Sequence, residues 1–589
     1  MIKKLFGSLR EYKIYAILTM VSMVFEVAME VAIPLIIFEF GKCVSPGEGA
    51  DPDVKGMISY GCLMVGAAIL SLVAGMLGGK FGAKASAGFA KNLRYDMFEA
   101  VQGYSFANID KFSSSSLVTR LTTDVGNVQM SFMMIIRTAV RGPLMLIFSI
   151  IMSFSIDTQL PWIFFVTMPI LLFAIIIMTK LAMPIFKKVF KRYDALNESI
   201  QEDIKGMRVV KAYVREDYET KKFTRVSDEL KGYFTKAERI LAINSPVMSF
   251  CLQGALLALA YFGSKIITAG NTSLNAMGLQ SLLTYSMQIL MSLMMLSMVF
   301  VMIMMSAESA RRIVEVLDEK STLVSPENAV TVVKNGDVKF ENVSFRYSEH
   351  AEKFALENVN LDIKSGETVG ILGGTGSSKT TLVNLISRLY DVTEGSVKVG
   401  DVDVRDYDLE TLRNEVAVVL QKNMLFSGTI KENLRWGNKD ATDEQLVEAC
   451  KLAQADDFIR QFPDGYDTMI TQGGTNVSGG QKQRLCIARA LLKQPKVLIL
   501  DDSTSAVDMK TDALLRDAFR RFIPDTTKII IAQRIASVMD ADKIIIMNNG
   551  KVDAVGNHEE LMKSSEIYRE VYYSQNKIGS VEEGGKVNA

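Results

Sequence analysis

Histidine is nearly missing from this chain of 589 residues: there are two, His350 and His558. Chemistry that leans on an imidazole acid, base or ligand has only these to draw on. Cysteine is scarce and scattered. Cys43, Cys62, Cys251, Cys450 and Cys486 show no metal-ligand spacing and read as a reduced protein's incidental thiols. A dominant charge sign is also absent: 66 Lys+Arg offset 66 Asp+Glu, so nothing in the net charge argues for a nucleic acid polymer as partner. No cleavable leader is expected. Lys3, Lys4, Arg10 and Lys13 precede an apolar run too long for a signal peptide.

What is present is unevenly distributed. Mean hydropathy is +0.18 despite 22% charged residues, because residues 1–305 hold long apolar runs and the remainder resembles a soluble α/β chain. Spans are predicted near 14–40, 57–79, 132–156, 159–182, 240–268 and 276–305, each long enough for the about 20 residues a bilayer requires. Six spans put both ends on one side. Lys and Arg crowd the N-terminus, 91–141 and 180–239 and are sparse in 43–56 and 269–275. Both termini are therefore expected in the cytoplasm of a multi-pass protein of the cell membrane, in contact with its lipids. Residues 80–131 and 183–239 are too polar for lipid yet mostly lack helix breakers. They are predicted to carry the helices onward into the cytoplasm, with turns near Phe112–Leu117 and Gly206–Tyr213 as candidate docking tips.

Glu26 and Glu30 lie four apart, on one face of the first span. They read either as a cation-contacting or proton-linked site in a central cavity or as the lining of a wet cavity without a transport role. Arg137 and Arg141 lie nearer the cytoplasmic end of the third span and are expected to snorkel. The sixth span carries Met287, Met291, Met294, Met298, Met302 and Met305 on one helical face. This is a flexible, polarizable surface suited to varied apolar ligands, or simply packing.

Beyond a helical exit and a polar linker at 320–335, short strands alternate with helices. Val338–Phe345 alternates as a strand should and leads to the aromatic Tyr347. Glu367–Leu372 reads as a buried strand, and Leu382–Ile386 begins a helical pattern. Between them lies Gly373-Gly-Thr-Gly-Ser-Ser-Lys-Thr-Thr381, comprising Gly373, Gly374, Thr375, Gly376, Ser377, Ser378, Lys379, Thr380 and Thr381. A glycine-rich turn between strand and helix is the setting of a phosphate-binding loop. Backbone N–H groups and Lys379 are expected to take the phosphates of a nucleotide, and the Thr380 hydroxyl Mg2+; the alternative is a glycine-rich turn with no ligand. Val497–Asp501 is an apolar strand ending in an acid placed for the Mg2+ side. Between the two, Ser478, Gly479, Gly480 and Gln481 open an amphipathic helix, a second anion-binding end. Two such surfaces in one domain are most simply used head-to-tail with a second copy.

With these motifs in this order, the chain resembles a half-size ABC exporter from about residue 5 to 575. The fold implied is a polytopic α-helical membrane domain, six transmembrane helices with long cytoplasmic extensions over 1–319. The linker at 320–335 leads to an α/β P-loop ATPase domain with a helical subdomain over 336–575. A disordered tail is expected over 576–589. Tyr347 is similar to the A-loop aromatic, Gln421 to the Q-loop glutamine that joins Thr380 and Asp501 at Mg2+, 477–481 to the signature, and Ser505–Asp508 to the D-loop. The resemblance implies two ATP molecules sandwiched between two nucleotide-binding domains, each held by one chain's Walker A and the other's signature.

Four positions depart from the family pattern. The Walker B acid is normally followed by Glu, and here by Asp502. The switch-loop histidine is Gln533, and no other histidine is near in sequence. Ser378 replaces a glycine, at a cost of about 1–2 kcal/mol if its backbone is left-handed. Gln472 also stands where many exporters have Glu. Asp502, Gln533 and Asp508 are thus the candidate catalytic residues of a site that keeps its binding groups. The pattern resembles the degenerate-site subunit of heterodimeric multidrug-type exporters, moving a lipophilic small molecule with a second half-transporter as partner. The alternatives are a homodimeric exporter of lipid or peptide and an ATP-gated sensor without net transport.

Overall fold

The computed structural model describes residues 2–44, 51–269, 274–348, 351–502 and 507–584. The chain forms two compact units, Met1–Gln102 with Ser114–Glu319, and Gly103–Ser113 with Lys320–Ala589.

The first unit is helical. Among the described residues six helices are long and apolar enough to cross a membrane: Arg10–Val44, Val54–Gln102, Ser114–Ile156, Trp162–Phe186, Glu216–Thr268 and Ala276–Asp318. The helix Val54–Gln102 has 49 residues and Trp162–Ala212 has 51. At about 1.5 Å per residue each far exceeds the roughly 30 Å hydrocarbon core, so each continues past it. The first two spans approach closely because Gly78 and Gly82 lie against Met23 and Thr19. A Cβ at Gly78 would stand 2.3 Å from the Met23 methyl carbon. Pro34 lies inside the first span, and hydroxyls of the sixth reach the nearby backbone. Tyr285 OH donates to Val31 O at 2.7 Å and Ser281 Oγ to Pro34 O at 2.6 Å.

The two connecting tips differ from the sequence expectation. In the serine run, Ser114–Thr119 is helical and Ser113, at φ 57°, forms the corner. The tip itself is the short helix Phe106–Phe112. Its start is set by a reciprocal cap, Asn108 N–H to Ser105 Oγ and Ser105 N–H to Asn108 Oδ1. In the other connection Gly206–Ala212 belongs to the long helix, and the turn is Tyr213–Arg215 with Val214 at φ 52°.

The second unit contains two principal sheets. Leu356–Ile363, Val338–Phe345, Glu394–Val399 and Val402–Asp403 form an antiparallel one. The other runs Lys551–Gly556, Lys543–Asn548, Thr368–Gly373, Thr527–Ile531, Val497–Asp501, Val416–Val419, parallel except at its first edge. Its central strands are buried throughout, as apolar runs in parallel sheets are. The tip helix Phe106–Phe112 packs within this unit. Tyr390 OH donates to Asp110 Oδ2 at 2.7 Å, and Asn108 Nδ2 to Lys320 O at 3.1 Å. The last helix runs Glu566–Gly584, past the point where a disordered tail is expected. Its early turns bury Tyr568 and carry Ile567 and Val571 on the core.

Candidate nucleotide site

The phosphate loop leaves the sheet at Gly373, φ 155°, where a Cβ would stand 2.3 Å from Met547 O, so only glycine fits. Ser378 is left-handed at φ 72°, ψ 26°, just before the helix Lys379–Ile386. The replaced glycine therefore falls at a position that favours glycine. Lys379 Nζ donates to Gly373 O at 2.9 Å, Gly374 O at 2.8 Å and Ser377 Oγ at 3.3 Å. Burial pushes its pKa below the ordinary value, against the pull of Asp501 and Asp502. Thr380 Oγ1 donates to Asp501 Oδ1 at 3.2 Å. Asp501 is 2% exposed, and burial raises its pKa, with Thr380 opposing. A nest of N–H groups, an ammonium, a hydroxyl and a buried carboxylate thus lie together, a donor set that fits a Mg2+-nucleotide.

Tyr347 stands beside this loop, its hydroxyl 2.9 Å from Thr381 Oγ1. Tyr390 and Phe345 meet its ring edge-to-face at 5.2 and 4.9 Å, and Tyr347 remains 51% exposed. Tyr390 thereby joins Tyr347 to Asp110 of the tip helix, a link unmarked in the sequence except as an aromatic after the loop helix. Gln421 is exposed just past the strand Val416–Val419.

Asp502 and Gln533 come together: Gln533 Nε2 donates to Asp502 Oδ2 at 2.8 Å. Asp502 has φ 50°, its N–H donates to Ile531 O, and its carbonyl accepts from Gln483 Nε2 at 3.4 Å. Asp508 N-caps the helix Met509–Phe522, accepting from Thr511 N–H at 3.0 Å and Thr511 Oγ1 at 2.8 Å. Those bonds hold its pKa below the carboxylate range. Ser505 and Ala506 lie outside the described residues, as does His350. His558 is engaged elsewhere, Nδ1 lying 2.6 Å from Tyr568 OH. Ser478 opens the helix Gly479–Leu491 with a capping box: Ser478 N–H donates to Gln481 Oε1 at 2.9 Å and Gln481 N–H to Ser478 Oγ at 3.2 Å. This fixes the glycines at a helix N-terminus. Gln472 begins a 3-10 turn before it.

In the helical unit, Arg141 does not snorkel. It pairs with both acids of the first span, with Glu26 and, at 2.7 Å, with Glu30 Oε2. Isolated charge in a span is costly, so the nearest counter-charge is taken. Complementary charges on two spans were the available signal. Among the described residues Glu26 Oε2 is buried without a hydrogen-bond partner. Met287, Met291, Met294, Met298 and Met305 are exposed on the face opposite the packed side of Ala276–Asp318, which carries Tyr285, Ile289 and Leu293. Met302, on the same face, is half-buried.

Residues 16–293 match the family model of the ABC transporter transmembrane region and residues 356–505 that of the ABC transporter. Over 573 residues the chain is 35% identical to the uncharacterized ABC transporter ATP-binding protein YfiB of Bacillus subtilis, covering 97% of this chain and 98% of that protein. It is 30% identical to an ATP-dependent lipid A-core flippase of Syntrophus aciditrophicus, covering 83% of this chain and 81% of the flippase. A solved bacterial Atm1-family ABC exporter with ATP bound shares the fold, with a TM-score of 0.81 at 22% identity over 96% of this chain and 98% of that one.

Proposed function

The chain belongs to the ABC transporters, and from that premise we propose an ATP-driven exporter subunit whose own Walker site holds MgATP but turns it over slowly. A different half-transporter supplies the competent Walker site. The carrying observation is the bond from Gln533 to Asp502 beside a complete set of binding groups. Asp502 is one methylene short of the glutamate usual in this family, and a displacement of order 1 Å can cost about 100-fold in rate. Gln533 offers an amide that neither takes up nor releases a proton at neutral pH.

The binding roles follow from the site. Tyr347 offers a ring face to the adenine. Lys379 and the N–H groups of 373–381 hold phosphate oxygens. Thr380, Gln421 and Asp501 hold Mg2+, which when bound offsets the charge on the phosphates. Asp508 fixes one end of the D-loop by capping the helix after it. Ser478, Gly479, Gly480 and Gln481 present a helix N-terminus to the nucleotide held by the partner chain. The exposed Met face supports a lipophilic small molecule or drug as cargo. Glu26 and Glu30 with Arg141 leave one net negative charge, which favours a cationic group or a proton beside it. The basic connections support cytoplasmic termini.

Affinity purification from the native membrane tests the pairing, and a second half-transporter is expected in equal amount. Its absence would overturn the heterodimer in favour of a homodimeric lipid exporter, a reading to which the similar lipid A-core flippase lends weight. Sealed vesicles carrying the complex are expected to concentrate lipophilic dyes on adding ATP. ATP binding without accumulation would instead support a sensor.

A further inference from the structure

Gln533 is held from behind. The last helix packs on the 3-10 turn Ile535–Ser537, with Tyr568, Val571 and Tyr572 facing the core that includes Ile535 and Val538. Gln575 continues that helical face. Both arms of its amide are used: Ile535 N–H donates to Gln575 Oε1 at 2.9 Å, and Gln575 Nε2 donates to Gln533 O at 2.9 Å. One side chain thus clamps the backbone on both sides of Arg534, as a neighbouring strand would. The Gln533 side chain leaves that clamped backbone for Asp502 Oδ2. Asp502 follows Asp501, which accepts from Thr380, so Gln533 lies at the Mg2+ and terminal-phosphate end of the loop.

We propose that Gln575 is a positioning residue for this nucleotide site, fixing the switch-loop backbone so that Gln533 is aimed at the terminal phosphate. The inference rests on the ATP-site reading above. Nothing in the sequence near Gln575 marks it, since it lies about forty residues beyond the loop it holds and its partners are backbone atoms.

The test uses the purified full-length transporter with whatever half-transporter accompanies it. Labelled MgATP or MgADP is bound to this chain, and its release is followed in an unlabelled chase. Gln575→Leu is expected to speed ATP release about 10- to 100-fold, the worth of one hydrogen bond to a charged oxygen. ADP release should stay within about twofold, since ADP lacks the phosphate that Gln533 addresses. A merely structural loosening would speed both alike and would overturn the proposal, as would unchanged ATP release. Gln575→Glu keeps the packing and the acceptor for Ile535 but loses the donor to Gln533. It is expected to speed ATP release selectively too, and covers the case in which the leucine variant does not fold. Failure of the wild-type chain to bind either nucleotide would sink the ATP-site reading itself, whereas binding that is indifferent to Gln575 would sink only the clamp.

Discussion

Ser378 and Asp502 share a backbone peculiarity, both sitting at positive φ. For Ser378 the strain argues for replacement by glycine, which relieves about 1–2 kcal/mol and gives back about 0.5–1 kcal/mol in chain entropy. Ser378→Gly is therefore expected to raise folding stability by at most about 1.5 kcal/mol, read as a higher thermal midpoint, and to leave MgATP binding nearly unchanged, since the strain is present without nucleotide. Looser binding would mean that the serine hydroxyl makes a contact the glycine cannot replace. Asp502 is different, because aspartate tolerates this region better than glutamate does. Lengthening it alone gains reach but adds strain, so the informative variant is Asp502→Glu with Gln533→His. With Ser478→Arg also present to silence the site held by the partner's Walker motifs, steady-state ATPase is expected to rise about 10- to 100-fold. An unchanged rate would show that the slow step lies elsewhere. The phosphate loop, the Walker acid and the signature are legible in sequence because each depends on neighbours within a few residues. The bond between Gln533 and Asp502 is not, since it joins residues just past the ends of adjacent parallel strands, and only their joint departure from the family pattern hinted at it.

Between elements, the ion cluster of the first and third spans carries the clearest energetic consequence. Side chains of Glu26, Arg141 and Glu30 are 11%, 26% and 32% exposed, so water screens them poorly. Arg141→Ala strands two carboxylates and is expected to cost about 3–5 kcal/mol, seen as a lowered thermal midpoint and poor recovery from the membrane. Adding Glu30→Gln to that variant should recover part of the loss, while Glu26→Gln alone keeps a one-to-one pair and should be tolerated. An Arg141→Ala protein as stable as wild type would mean that the acids are neutralised by protons instead. Periodicity located the spans well, because length and hydropathy decide them. It could not tell which way Arg141 turns, since snorkelling and pairing differ only in what the neighbouring helix offers. The serine run misled for a similar reason. The corner is fixed by the cap between Ser105 and Asn108 and by Ser113, so the following serines are free to be helical.

At the scale of the whole molecule, the proposed function makes the two nucleotide surfaces of this chain serve different reactions. Lys379 acts on the nucleotide this chain holds, while Ser478 acts on the one its partner holds. If the partner is a different chain with an intact catalytic pair, damage to the two surfaces has unequal consequences. Lys379→Ala should abolish nucleotide labelling of this chain yet leave ATPase of the complex within about threefold, because little turnover arises there. Ser478→Arg should leave that labelling intact and reduce ATPase by more than about 100-fold, since it puts a bulky cation where the signature helix meets the partner's γ-phosphate and removes the hydroxyl that caps that helix. In a homodimer the two substitutions would each damage both sites, and ATPase would fall in both. The comparison is therefore decided by the ratio of the two losses, measured on the same preparation. Equal losses would return the catalytic burden to Asp502 and Gln533, and the slow site would have to be reckoned the working one.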